Sequence, residues 1–79
     1  MDRMSPASND LIGKIGRVTG RIAPGETGEV MIAFRGGTSA FHAHPADGVT
    51  SYPVGEKVLV VEFRSPQTVF VDALPEFLR

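Results

Sequence analysis

The sequence contains no cysteine and no tryptophan, and only 8% of its 79 residues are aromatic. Without cysteine, the chain can form no disulfide and offers no thiolate nucleophile or metal ligand. Eight basic and nine acidic residues give a formal net charge of -1, so the basic excess that drives binding to nucleic-acid backbones is missing. These absences disfavour disulfide-stabilised, thiol-dependent and nucleic-acid-binding proteins.

Long apolar runs are missing as well. No stretch approaches the ~20 apolar residues that span a membrane, and residues Met1 to Asn9 contain no apolar core of a signal peptide. We therefore expect a soluble chain that does not itself insert into a membrane. Residues 1–10 are predicted to be a flexible lead-in, or the start of a piece of a longer protein.

Glycine and proline are abundant, with nine and six residues. They interrupt nearly every window of about 11 residues, so the 3.6-residue period of an amphipathic helix is not sustained. Alternation of apolar and polar residues with a period of two predicts five strands instead. The predicted strands are Leu11–Ala23, Gly28–Arg35, Thr38–His44, Glu56–Arg64 and Thr68–Leu74.

Glycines are expected to bend and turn these strands. Gly13, Gly16 and Gly20 lie inside the long first strand, where glycine permits a bulge or a sharp coil. Gly36–Gly37 predicts a hairpin between the second and third strands. In the fourth strand the apolar alternation changes phase at Val60–Val61, which predicts a β-bulge there.

Five strands, short connections and a kinked first strand predict a small five-stranded antiparallel β-barrel without a substantial helix. OB-type and SH3-like barrels both fit, and the long first strand favours the OB type. A typical OB-fold has a helix between strands three and four, where this chain offers only the turn-rich loop 46–55. The barrel is expected to span residues 11–74, followed by a tail of residues 75–79.

The order and spacing of several short stretches resemble a known family. These stretches are Leu11–Gly16, Ile22–Pro24, Gly28–Val30, Phe41–Ala43, Pro53–Val58, Val60–Phe63 and Thr68–Val71. Together they cover nearly the whole predicted barrel. By them, the chain resembles the soluble C-terminal OB-fold domain of NfeD-like proteins.

The resemblance implies a prokaryotic domain attached to or associated with a membrane, working with stomatin- or flotillin-type scaffold proteins. It implies no catalytic residue, because none is established for this domain of the family. Two departures weaken a transfer of partner contacts. Phe41 stands where the family usually has tryptophan, and the loop from Ala46 to Tyr52 is longer.

Metal binding and catalysis find little support in the residues. His42 and His44 share a strand face and, with Asp47, offer three ligands, whereas a structural zinc site needs four. We expect both histidines to face solvent, and we expect no metal and no cofactor. No serine lies in a G-x-S-x-G setting. The sequence therefore predicts a protein that is not an enzyme.

The alternative function is an OB-fold that binds single-stranded nucleic acid, which requires a basic groove with stacking aromatics. Arg17, Arg21 and Arg35 could form a modest basic patch on the first two strands. The net charge argues against it, and the three phenylalanines of the middle strands are expected to lie in the core: Phe34, Phe41 and Phe63.

The strand parities place Met31, Leu59 and Phe70 on the outer side of the barrel. Exposed apolar clusters often mark interaction sites, so these three residues form the candidate partner surface. Two alternatives stay open: Phe77 and Leu78 fold back over them, or the phase change at Val60 turns Leu59 inward. We predict a non-enzymatic interaction module that binds a stomatin- or flotillin-like protein or self-associates.

Overall fold

The computed structural model describes residues 10–34 and 36–78. Most of the predicted lead-in, residues 1–9, lies outside the described residues, as do Arg35 and Arg79. The described chain has five strands and one short 3-10 helix, which confirms the prediction of an all-β protein. The elements are β1 Ile15–Gly20, β2 Gly28–Phe34, β3 Gly37–Pro45, β4 Lys57–Arg64, β5 Thr68–Ala73 and the 3-10 helix η1 Glu76–Leu78.

The strands close into a barrel in the order β1-β2-β3-β5-β4, and β4 pairs back onto β1. This arrangement agrees with the predicted small OB-type barrel. The barrel is mixed rather than purely antiparallel, because β3 and β5 run parallel, with His42 opposite Thr68 and Pro45 opposite Val71. The parallel pair arises because β5, the second strand of the β4–β5 hairpin, lies beside β3 and runs in the same direction as β3.

Alternating apolar residues fill the barrel. Val18, Val30 and Ile32 of the first hairpin are at most 1% exposed. Four fully buried valines complete the interior from the second hairpin: Val58, Val60, Val69 and Val71. Phe41 is buried in the core, as the sequence predicts, whereas Phe34 and Phe63 are half-buried and pack against it. The interior is therefore built mainly from β-branched residues, and phenylalanine rings pack against them.

The first strand is shorter than predicted. Leu11 lies in a helical turn, and its carbonyl accepts a hydrogen bond from the Lys14 amide. Gly13, in the same turn, has a φ of 91°. A positive φ interrupts an extended strand, so β1 begins only at Ile15. Past the end of β1, Ile22 forms an isolated bridge with Tyr52 instead of continuing the strand.

Two irregularities shape the β4 and β1 ladders. In β4 the register shifts between Val60 and Glu62, which leaves Val61 as an extra residue and confirms the predicted bulge. In β1 the register shifts between Val18 and Gly20, in agreement with a bend near this glycine. Both shifts increase local twist, which helps a small sheet close on itself.

The β3–β4 connection is a loop without a helix, as predicted. Asp47 organises its first turn, because its Oδ1 accepts hydrogen bonds from the amides of Val49 at 2.9 Å and Thr50 at 3.0 Å. Tyr52 is buried, and its backbone exchanges two hydrogen bonds with Ile22, at 2.8 and 3.1 Å. The loop is therefore ordered by its own turn at Asp47 and held to the chain after β1 through Tyr52.

Candidate interaction surface

The outer face of β1 and its two neighbouring strands carries two of the three candidate residues. Met31 on β2 lies opposite Arg17, and Leu59 on β4 lies opposite Ile15. Because alternate residues of a strand share a face, Met31, Ile15 and Leu59 lie on one outer face across three strands. Ile15 is 43% exposed, while Met31 and Leu59 are half-buried.

A shallow groove of about 350 Å³ lies on this face. The volume is near the lower end of the ~300–1,000 Å³ typical of ligand pockets. Leu59 is not part of its lining, although it pairs with Ile15, which is. The apolar lining residues are Ile15, Met31, Ala33, Leu74 and Leu78, and the polar ones are Arg17, Thr38 and Lys57. We call this feature the β1 groove.

The C-terminal residues cover the apolar face only in part. Leu78 lines the β1 groove and is 44% exposed, whereas Phe77 is 85% exposed. A 3-10 helix has three residues per turn, so neighbouring side chains of η1 point in different directions. The bulge does not turn Leu59 into the core, because it begins only after Val60.

Phe70 lies apart from the groove, on the outer side of β5. On one side, its ring centroid is 5.7 Å from that of His44 on β3. On the other side, the guanidinium carbon of Arg64 on β4 lies 5.0 Å from the Phe70 ring centroid. Phe70 lines none of the β1 groove. The three predicted surface residues therefore do not form a single patch: Met31 and Leu59 share a face, and Phe70 belongs to a separate cation–aromatic stack.

Two cations lie beside the groove's apolar lining. Arg17 and Lys57 are exposed and stand opposite each other on β1 and β4. Within residues 10–34 and 36–78, neither has a carboxylate partner at ion-pair distance; the described ion pairs are Arg21–Glu26 at 3.6 Å and Arg64–Glu62 at 3.5 Å. The groove therefore combines apolar surface with two cations that form no ion pair within the described part of the chain.

Ile15 and Ala33 are groove residues that the sequence interpretation missed. Ile15 has the same parity as Arg17 in the first strand, so its outward position was available from the pattern. Leu78 was considered only as a cover for other residues. Its role as a groove wall depends on η1, and a three-residue helix leaves no periodic pattern in a sequence.

The histidine pair behaves as surface side chains. His42 is exposed, and the half-buried His44 contacts the Phe70 ring. The Asp47 carboxylate accepts hydrogen bonds from the Thr50 hydroxyl and from the Val49 and Thr50 amides of its own loop. These bonds, the one from the Thr50 hydroxyl most of all, lower the pKa of Asp47 below its usual value. Within the described part of the chain, no three His, Cys, Asp or Glu side chains are grouped to hold a metal ion.

Of the three arginines proposed for nucleic-acid binding, the structure describes two, and one of these is paired with a carboxylate. Arg21 pairs with Glu26, and Arg17 lies at the β1 groove. Arg35 lies outside the described residues. A cation over an aromatic ring occurs instead at Arg64 and Phe70, on another face of the barrel.

Comparisons with known proteins place the chain in a family. Residues 15–72, more than half of the chain, match the model of the NfeD C-terminal domain. The structure resembles the C-terminal domain of stomatin operon partner protein 1510-C from Pyrococcus horikoshii, with a TM-score of 0.66 and 28% identity over 94% of this chain and 100% of that one. No curated protein matches significantly. In the part of the chain that the structure describes, no helix has the length and apolarity to cross a membrane.

Proposed function

Because the chain belongs to the NfeD family through its C-terminal domain, we propose that it is a non-enzymatic interaction module whose partner is a stomatin- or flotillin-type membrane scaffold protein. The C-terminal domain of this family is a non-catalytic domain type. The structural relative is named as a stomatin operon partner protein, which supports the same class of partner for this chain.

The observation that carries the proposal is the apolar outer face of β1, β2 and β4. Ile15 is 43% exposed there, beside the half-buried Met31 and Leu59, on a small barrel whose core is already complete. A contiguous exposed apolar patch often marks a protein–protein contact. A role at the membrane of a prokaryotic cell follows from the partner, which brings this domain to the bilayer surface.

Binding of single-stranded nucleic acid is a second candidate, and one observation favours it. Arg64 lies over Phe70, and His44 lies beside the same ring, so this face offers a stacking platform with positive charge. The net charge of -1 weighs against it, because backbone binding requires an excess of cations.

A titration of the isotope-labelled chain, followed by NMR, separates the two functions. The probes are the purified stomatin-type protein of the same organism and a single-stranded oligonucleotide, each at low and high salt. We expect shifts on β1, β2 and β4 with the protein and none with the oligonucleotide. Shifts around Phe70 with the oligonucleotide, weakening steeply as salt rises, would instead establish the second function.

A further inference from the structure

Arg17 and Lys57 are a pair of like charges, and neither has an ion-pair partner among residues 10–34 and 36–78. They stand opposite each other on adjacent antiparallel strands, a geometry in which like charges repel. Both side chains belong to the lining of the β1 groove. Each stands beside the other rather than beside an ion-paired carboxylate. This costs the isolated barrel some stability, and an external carboxylate at the groove would remove the cost.

Apart from Thr38 and Gly16, the rest of the groove lining is apolar. Ile15, Met31 and Ala33 line it from β1 and β2, and Leu74 and Leu78 line it from the C-terminal segment. Ile15 and Leu78 remain 43% and 44% exposed, so a ligand has apolar surface left to bury. A ligand that matches both features has an apolar side chain close to a negative charge.

We propose that the β1 groove binds an acidic, apolar segment of the protein partner. An apolar side chain of that segment packs between Ile15, Met31 and Leu78, and a neighbouring carboxylate pairs with Arg17 and Lys57. The assignment rests on the proposed function, because the segment belongs to the stomatin- or flotillin-type partner. To the proposed function it adds the face of the barrel that binds the partner and the chemical character of the partner segment.

Other occupants fit the groove less well. A nucleic-acid strand would use the two cations, but the apolar lining offers its phosphates nothing. A second copy of this chain could insert the 85% exposed Phe77 with Glu76 beside it. That contact would come from a three-residue helix, which is small against the ~800 Å² that each partner buries in a stable complex.

Paired charge reversals test the groove. The Arg17→Glu/Lys57→Glu variant should bind the stomatin-type protein of the same organism at least about tenfold more weakly than the unmodified chain. The matched control is Arg21→Glu/Arg64→Glu, which alters net charge equally at two exposed residues outside the groove. Its affinity should stay within about twofold. Binding is measured by calorimetry, and folding of each variant is checked by circular dichroism.

The possible results separate the inference from the proposed function. Equal affinity of both double variants and the unmodified chain would overturn the groove assignment and leave the interaction function standing. No binding by the unmodified chain would overturn both. Concentration-dependent self-association that Phe77→Ala abolishes, with partner affinity unchanged by the Arg17→Glu/Lys57→Glu substitutions, would assign the groove to a second copy.

Two peptides test the chemistry without the partner. A short peptide of alternating leucine and glutamate should shift the amide signals of β1 and of the first residues of β4, and the Arg17→Glu/Lys57→Glu variant should lose this response. A peptide of alternating leucine and lysine should shift neither. Equal shifts from the two peptides, or shifts confined to other strands, would show that the groove does not select an acidic segment.

Discussion

Gly28 lies so close to Ile22 that a Cβ atom at position 28 would come within 2.6 Å of the Ile22 Cγ1 atom. The same atom would lie 2.7 Å from the carbonyl oxygen of Arg21 and 2.8 Å from that of Gly20. Two of these neighbours are backbone atoms, which cannot swing aside. The first residue of β2 is therefore glycine because the chain leaving β1 passes directly against it.

Gly28→Ala should destabilise the barrel by about 1–3 kcal/mol, the usual cost of overpacking. Gly37→Ala is the matched control, because position 37 is also a strand glycine without positive φ, and nothing lies within 4 Å of its added Cβ. We expect Gly37→Ala to change stability by about 0.5 kcal/mol or less. Denaturant unfolding of both variants measures the difference, and equal stability would contradict the close-approach explanation.

The fold was predictable from local patterns where those patterns are strong. Alternation located all five strands, and the phase change at Val60–Val61 located the bulge. Alternation did not predict where the first strand begins. The chain turns at Gly13, which has a positive φ, and alternation of apolar and polar residues carries no information about φ. The special role of Gly28 depends on a contact with Ile22 that forms only after the chain has turned.

The Asp47 turn should contribute stability that depends on pH. The hydrogen bond from the Thr50 hydroxyl, followed by those from the Val49 and Thr50 amides, lowers the pKa of Asp47 below its ordinary value of 3.8. A carboxyl with a lowered folded-state pKa stabilises the fold above pH ~3.8 and loses this contribution as the pH falls through the folded value. Asp47→Asn should therefore flatten the acid limb of the stability profile.

Thr50→Val is the companion variant, since it removes the largest cause of the shift while keeping the carboxyl. The pKa of Asp47, followed by carbon NMR of the carboxyl, should move back towards 3.8 in this variant. Denaturant midpoints between about pH 2 and 7 then report the stability. An unchanged pKa in Thr50→Val would show that the hydroxyl does not hold the carboxylate.

Tyr52 should make the barrel sensitive to alkali. Burial, with smaller effects from the charges of Asp72 and Asp47, raises the pKa of Tyr52 above its ordinary value of 10.0. The unfolded chain then loses the phenolic proton first, so stability is complete below pH 10 and declines as the pH rises towards the folded value. Tyr52→Phe should show a shallower decline.

Because Tyr52 is the single tyrosine of the chain, phenolate absorbance reports its titration without interference. The folded protein should titrate at higher pH than the same protein in denaturant. Coincident titration curves would contradict a buried phenol. The loop that carries Tyr52 would then be open to solvent at alkaline pH.

The candidate site was less predictable than the fold. Parity assigned Met31 and Leu59 to the outer side of the barrel, but it could not say which outward residues share a face, because this depends on the register between β1, β2 and β4. Phe70 illustrates the limit. Parity assigned it to the outer side like Met31 and Leu59. However, it contacts His44 on β3, since β5 runs parallel beside that strand.

Ile15→Ser and Phe70→Ser should separate these two faces. If the partner packs on the β1 groove, Ile15→Ser removes apolar contact worth about 1.5 kcal/mol and weakens binding of the stomatin-type protein about tenfold. Phe70→Ser removes a larger side chain outside the groove, so partner affinity should stay within about twofold. Calorimetry on both folded variants measures the difference. The reverse result, with Phe70→Ser weakening binding and Ile15→Ser leaving it intact, would move the docking face to the Arg64–Phe70–His44 stack.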